Sequence, residues 1–209
     1  VAWLSAVAHG NFGNSISLRE NVLSLVLSRL PATLELAFFA VTIALTLGVL
    51  FAVASVYWRG RWPESLADGF SGLALAIPDF LWGLIFILVL GVLIPVMPIS
   101  GRLDPSLEFN PITQFFFIES LLRGEFRVFA SLISHLVLPA LALALPLAAM
   151  IARVLKNSLI EAMDQDYILL ARVKGFTRSR IIWREALRNA LIPTVALTGV
   201  QFTFLIGGT

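Results

Sequence analysis

Residues 34–58 form an apolar run in which Glu35, at the very start, is the sole ionisable side chain. As a helix rising about 1.5 Å per residue, the run reaches roughly 37 Å, enough to cross a hydrocarbon core of about 30 Å with some tilt. Pro31 precedes it, where a missing N–H costs a helix least. Tyr57 and Trp58 close it as interfacial aromatics, followed by Arg59 and Arg61. Similar runs recur at 66–95, at 128–152 and from about 191 to the last residue, Thr209. The second has Asp68 at its start, Asp79 near its middle and Pro78 interrupting it. The third holds His135 as its one ionisable residue, with Pro139 and Pro146 inside. Prolines are tolerable in a span when neighbouring helices satisfy the freed carbonyls.

The chain is 58% hydrophobic and 13% charged, with mean hydropathy +0.91. Soluble domains carry about 25% charged residues, so an integral membrane protein is expected. The start, Val1-Ala2-Trp3, has no basic segment before an apolar core and does not read as a signal peptide. The last residues stop inside an apolar run, so the chain reads as a fragment that has lost spans at both ends.

Orientation follows from Lys and Arg in the loops. The stretch 153–188 carries Arg153, Lys156, Arg172, Lys174, Arg178, Arg180, Arg184 and Arg188. The 96–127 loop balances Arg102, Arg123 and Arg127 with Asp104, Glu108, Glu119 and Glu125. The 59–65 and 153–190 loops are therefore expected in the cytoplasm, and segment 1–33 and loop 96–127 outside. Phe115-Phe116-Phe117 is placed on the membrane surface. The transmembrane region is then 34–209, with 156–190 as its main cytoplasmic loop.

That cytoplasmic stretch has its own pattern. Residues 159–175 read as an amphipathic helix ended by Gly175. A second stripe, Ile182, Trp183, Ala186, Leu187 and Ala190, shares one helix face, with Arg180, Arg184 and Arg188 opposite. Two short helices joined at a glycine make a knuckle against which a soluble partner could push, and Ala171 would allow close approach of another backbone. The plain alternative is a solvated loop obeying the positive-inside rule.

Several chemistries are excluded. Cysteine is absent, so there are no disulfides and no thiolate metal sites. His9 and His135 are on no metal-ligand spacing. Neither lysine, Lys156 or Lys174, follows the glycine a phosphate-binding loop requires, so ATP hydrolysis is not expected on this chain. No Ser-His-Asp or Gly-x-Ser-x-Gly arrangement stands out.

Ala171-Arg172-Val173-Lys174-Gly175, followed by Arg188-Asn189-Ala190 and Pro193, resembles the EAA loop of permease subunits of ABC importers, and within them the dipeptide/oligopeptide branch. Further matches fall in the order that branch has. They are Gly10-Asn11-Phe12-Gly13-Asn14-Ser15, Ala32-Thr33-Leu34-Glu35-Leu36, Ile77-Pro78-Asp79-Phe80 with Gly83, Pro98-Ile99-Ser100-Gly101, and His135-Leu136-Val137-Leu138-Pro139-Ala140. The chain departs from the pattern in having Leu169-Leu170-Ala171 where Glu-Ala-Ala is usual, Val173 for Ala, and Glu185 for His.

The resemblance implies an all-α polytopic helix bundle of the type I importer permease kind, with about four of six spans present. It implies a heterodimer with a second permease subunit, two cytoplasmic ATP-binding subunits and an external substrate-binding protein. The chain itself is expected to be no enzyme and to hold no cofactor; ATP and magnesium belong to the partner ATPases. The expected setting is the bacterial inner membrane, with lipid contacts and no nucleic acid. By position, Asp166, Tyr167, Ala171, Arg172, Lys174 and Gly175 would form the ATPase-coupling element. Related systems carry nickel complexes, glutathione or antimicrobial peptides instead of dipeptides. A proton-driven secondary transporter would need broken helices in repeated halves, and no repeat is present.

Within the membrane, Asp79 is the outstanding residue. A carboxylate near mid-bilayer costs roughly 2.5–3.5 kcal/mol and should face a bundle interior or water. It is a candidate for the translocation path, where it would attract a cationic peptide terminus. Thr194, Thr198 and Gln201 fall at i, i+4 and i+7 on the fourth run, lining the path or bonding neighbouring helices. His135 reads as a hydrogen-bonded structural residue, and Arg153 as one that snorkels to the headgroups.

Overall fold

Asn21 decides where the first long helix begins. Its side-chain oxygen accepts hydrogen bonds from Leu23 N at 2.9 Å and Ser24 N at 3.3 Å, as an N-cap does. The chain ahead folds back on this cap: Val22 N donates to Gly13 O at 3.0 Å and Ser15 N to Glu20 O at 2.8 Å. Helix α1 then runs Val22–Tyr57. It starts well before the apolar run, and Pro31 lies buried inside it rather than ahead of it. The computed structural model of the protein describes residues 4, 5, 7, 9–16 and 18–208. Val1, Ala2, Trp3 and Thr209, on which the expectations about the two ends rest, lie outside the described residues.

The second apolar run is not one straight crossing. It folds as α2 (Trp62–Ala76) and α3 (Asp79–Phe86), the latter continuing as a wide π turn over Ile87–Leu93. The two halves meet at 101°. Ile77 is extended at φ −97° and ψ 123°, the conformation forced on a residue that precedes proline. Pro78 then caps α3, where its missing N–H is harmless.

Helix α5 (Phe126–Met163) is the spine of the molecule. It carries Pro139 and Pro146 without ending and runs past the apolar stretch 128–152. It packs along α1 through small residues: Ala37, Ala40, Ala44 and Ala52 on α1 and Ala140, Ala144 and Ala148 on α5 are all buried. Helices in lipid gain little from burying oil against oil, so close backbone approach holds them. At Gly48 a Cβ would stand 2.5 Å from Ile151 Cγ2 and 3.0 Å from Ala148 O, so only glycine fits. Lys156 ties α5 to α2 through Glu64 at 2.8 Å and Asp68 at 2.7 Å.

The 96–127 loop is fastened to α1 by two carboxylates. Buried Glu35 accepts from Arg102 Nη2 at 2.6 Å and from Phe117 N at 2.9 Å. Buried Glu119, on short helix α4 (Phe116–Leu122), pairs with Arg123 and accepts from Ile112 N at 2.9 Å and Thr113 N at 3.1 Å. Those donors, Ile112 N–H first, hold the Glu119 carboxyl below the usual glutamate range. Of the phenylalanines expected on the membrane surface, Phe116 and Phe117 are half-buried and pack within the chain. Phe117 packs 4.7 Å from Phe39 and 4.6 Å from Phe129, and the Arg102 guanidinium sits 3.9 Å over Phe116.

At the opposite end of α1, Arg178 donates to Val56 O at 3.1 Å. From Glu35 to Val56 the helix advances about 32 Å, the thickness of a hydrocarbon core. The 96–127 loop and the 160–190 segment therefore lie on opposite faces of one bilayer-thick slab. No strand occurs among the described residues; a single bridge pairs Asn14 with Asn21.

Candidate functional site

The knuckle begins where α5 stops. The pattern read as one helix over 159–175 is broken at Asp164 and Gln165, and short helix α6 spans Asp166–Val173. Gly175 ends it at φ +77°, in the left-handed region that glycine enters freely. Gly175 N donates to Arg172 O at 2.9 Å and Phe176 N to Ala171 O at 3.2 Å, the paired bonds of a Schellman cap. Thr177 then caps α7 through its hydroxyl, which accepts from Arg180 N at 3.4 Å.

Helix α7 runs Arg178–Gly207 without interruption, so the second arm of the knuckle is the start of the fourth span itself. Pro193 lies within it. Over Ile181–Ala186 the turns widen to the π form. The inward residues are then Ile181, Ile182, Ala186, Leu187 and Ala190, spaced by five at 181/186 and 182/187. Trp183, expected on that stripe, is rotated out and is 48% exposed. Arg180, Arg184 and Arg188 are exposed, as the sequence pattern predicts.

These inward residues share one cluster with Val56 of α1, Leu155 and Leu159 of α5, and Ile168 and Ala171 of α6. The close approach that Ala171 permits is thus to the chain's own helices. Asp166, Arg172, Lys174 and Gly175 are exposed, and so is Tyr167. Tyr167 also lines a cavity of about 340 Å³ with Glu161, Gln165, Asn189 and Pro193, which brings the two halves of the 166–193 motif together. With Ile168 and Ala171 turned inward, α6 presents Leu169, Leu170 and Val173 outward, 61%, 53% and 78% exposed. Sequence reasoning treated these three only as departures from a pattern. Their signal was apolar side chains at i, i+1 and i+4 opposite a buried pair.

The membrane candidates divide. Asp79 opens α3, is exposed, and takes Phe80 N on Oδ1 at 2.8 Å; among the described residues no cation pairs with it. Gln201 meets it in a cavity of about 340 Å³ that also includes Met150 and Pro146. Gln201 Nε2 lies 3.4 Å from Met150 Sδ. Thr194 and Thr198 are buried instead. The Thr198 hydroxyl donates to Thr194 O at 2.8 Å, and Thr194 Oγ1 has no partner among the described residues. His135 Nδ1 lies 2.7 Å from Ser131 O, the hydrogen bond expected of a structural histidine, yet its ring also lines a cavity with Asp79.

Comparison with known proteins agrees with this architecture. The chain is 39% identical over 206 residues to the di/tripeptide transport system permease protein DppB of Pseudomonas aeruginosa (strain UCBPP-PA14), covering 99% of this chain and 61% of that protein. It is 34% identical over 209 residues to the dipeptide transport system permease protein DppB of Escherichia coli (strain K12), covering 99% and 62%. It is 31% identical to the peptide transport system permease protein SapB of Salmonella typhimurium, covering 99% and 65%. The chain thus spans rather under two thirds of the length of these relatives. Residues 24–209 match the family of binding-protein-dependent transport system inner membrane components, and with its all-α bundle of long apolar helices the chain is a multi-pass membrane protein belonging to that family.

Proposed function

We propose that this chain is membrane-spanning permease machinery of an ATP-driven importer of di- and oligopeptides. It works in a bacterial inner membrane beside a second permease subunit, with two ATP-binding subunits below and an external binding protein above. The 153–190 segment faces the cytoplasm and the 96–127 loop the outside. The observation that carries this reading is α6, an eight-residue helix braced by a Schellman cap, which shows solvent an apolar face of Leu169, Leu170 and Val173. A solvated loop has no reason to display such a face. An ATPase groove would cover it, and α7, continuous from the knuckle into the membrane, would carry the push inward. Asp166, Tyr167, Arg172 and Lys174 would supply the polar rim. The names of the relatives support peptides as cargo.

The test is Leu170→Asp in the intact transporter. Burying that carboxylate in an apolar groove should cut ATP-dependent peptide uptake at least tenfold and loosen copurification of the ATPases, while membrane insertion is unchanged. Normal uptake with normal copurification would refute the docking role of α6.

A further inference from the structure

Three stretches far apart in the chain converge on one cavity of about 660 Å³. It is walled by Asp79, Phe80 and Gly83 of α3, by Ile99, Ser100 and Gly101 of the loop, and by His135 and Leu138 of α5, among others. Asp79 and Leu143 also line the cavity that reaches Gln201, so Asp79 stands where the two spaces meet. Its Oδ2 has no partner among the described residues, and Oδ1 takes only the adjacent Phe80 N–H. A carboxylate at membrane depth faces a bundle interior or a water-filled cavity, where a cationic group can reach it.

Among the described residues, Asp79 and His135 are the sole ionisable side chains on the larger cavity's wall, and Asp79 the sole one on the smaller. Two such groups are too few to hold a metal ion. The remaining walls are mostly apolar, and the volume falls in the range of small-molecule sites. The geometry points to a subsite for the protonated α-amino group of a short peptide, held by the Asp79 carboxylate with the first side chain against the apolar wall. This assignment rests on the peptide-importer reading above and names the group that the path recognises.

The experiment uses the complete permease–ATPase complex in lipid nanodiscs without the binding protein, probed by saturation-transfer NMR with dialanine and N-acetyl-dialanine. Wild type should bind dialanine at least tenfold more tightly, the scale of one charge-assisted contact. Asp79→Asn, which keeps the shape, should erase the discrimination. Gly83→Leu should weaken both ligands: a Cβ there meets only Ala142 Cβ at 3.8 Å, so alanine fits and a longer side chain enters the cavity. Equal binding of both peptides by wild type, or tenfold discrimination surviving in Asp79→Asn, overturns the subsite. ATP-dependent uptake fed by the binding protein is measured in parallel. If wild type imports no peptide, the importer reading itself fails; if it imports peptide and Asp79→Asn still discriminates, only the subsite fails.

Discussion

Replacing Gly175 separates two ways in which a hinge glycine can matter. At φ +77° an L-residue brings its Cβ against its own carbonyl, which costs about 1–2 kcal/mol. Among the described residues no atom beyond the adjoining chain lies within 4 Å of the position a Cβ would take, and Gly175 is exposed, so a larger side chain has open space to turn into. Gly175→Ala and Gly175→Trp should therefore destabilise the cap alike, and Gly175→Asn less, because asparagine tolerates this region. A cost of 1–2 kcal/mol raises local opening roughly 5- to 30-fold. The readout is hydrogen exchange at Gly175 and Phe176, whose amides close the cap on Arg172 O and Ala171 O. In the isolated chain, a tryptophan variant opening far more than the alanine variant would refute the open-space argument, and an alanine variant that opens no faster would refute the strain argument. In the transporter proposed above the same pair measures contact. If uptake per ATP falls much further for tryptophan than for alanine, the extra loss is a clash with a partner seated on the knuckle.

Two other substitutions follow from the same kind of geometry. Gly48→Ala and Gly69→Ala both gain up to about 1 kcal/mol of helix propensity, but at Gly48 overpacking against Ile151 costs about 1–3 kcal/mol, whereas Gly69 has nothing within 4 Å. Thermal unfolding in detergent should fall for the first and hold or rise for the second, and shifts of equal sign and size would contradict the packing of α1 on α5. Because the folded Glu119 carboxyl titrates below its unfolded value, the order it confers is fully present above the ordinary glutamate pKa of about 4.3 and is lost as pH falls through the folded value. Protection of the Ile112 and Thr113 amides should stay flat from neutral pH to about 5 and collapse in stronger acid, and Glu119→Gln should abolish that dependence; a collapse unchanged in Glu119→Gln would show that another group is responsible.

The apolar runs made the helices legible, because hydrocarbon leaves a chain few alternatives. Their ends were not, since hydropathy is silent about caps. Asn21 starts α1 ahead of the run, and Pro31, Pro139, Pro146 and Pro193 all sit inside helices. The bend at Ile77 was written in the X-Pro rule: Pro78 visibly interrupts the run, but the length of the run still suggested one crossing. Trp183 was misplaced because a 3.6-residue period cannot foresee a π turn. Glu35 and Arg102 are 67 residues apart, and their pairing depends on how α1 and the loop register in space. At the knuckle, the glycine cap and the basic face were visible in sequence, while the outward Leu169–Leu170–Val173 patch required knowing that Ile168 and Ala171 point in.

The 38 residues of α5 extend about 57 Å, nearly twice the hydrocarbon thickness, and α6 is mounted at one tip. A rigid rod that overshoots its pivot amplifies angle into travel. Tilting α5 by about 10° about its midpoint carries that tip some 5 Å, close to one helical pitch. Side chains near the pivot at mid-bilayer would scarcely move. In the importer proposed above, the overhang would act as a gear, matching a large stroke in water to a small rearrangement in lipid.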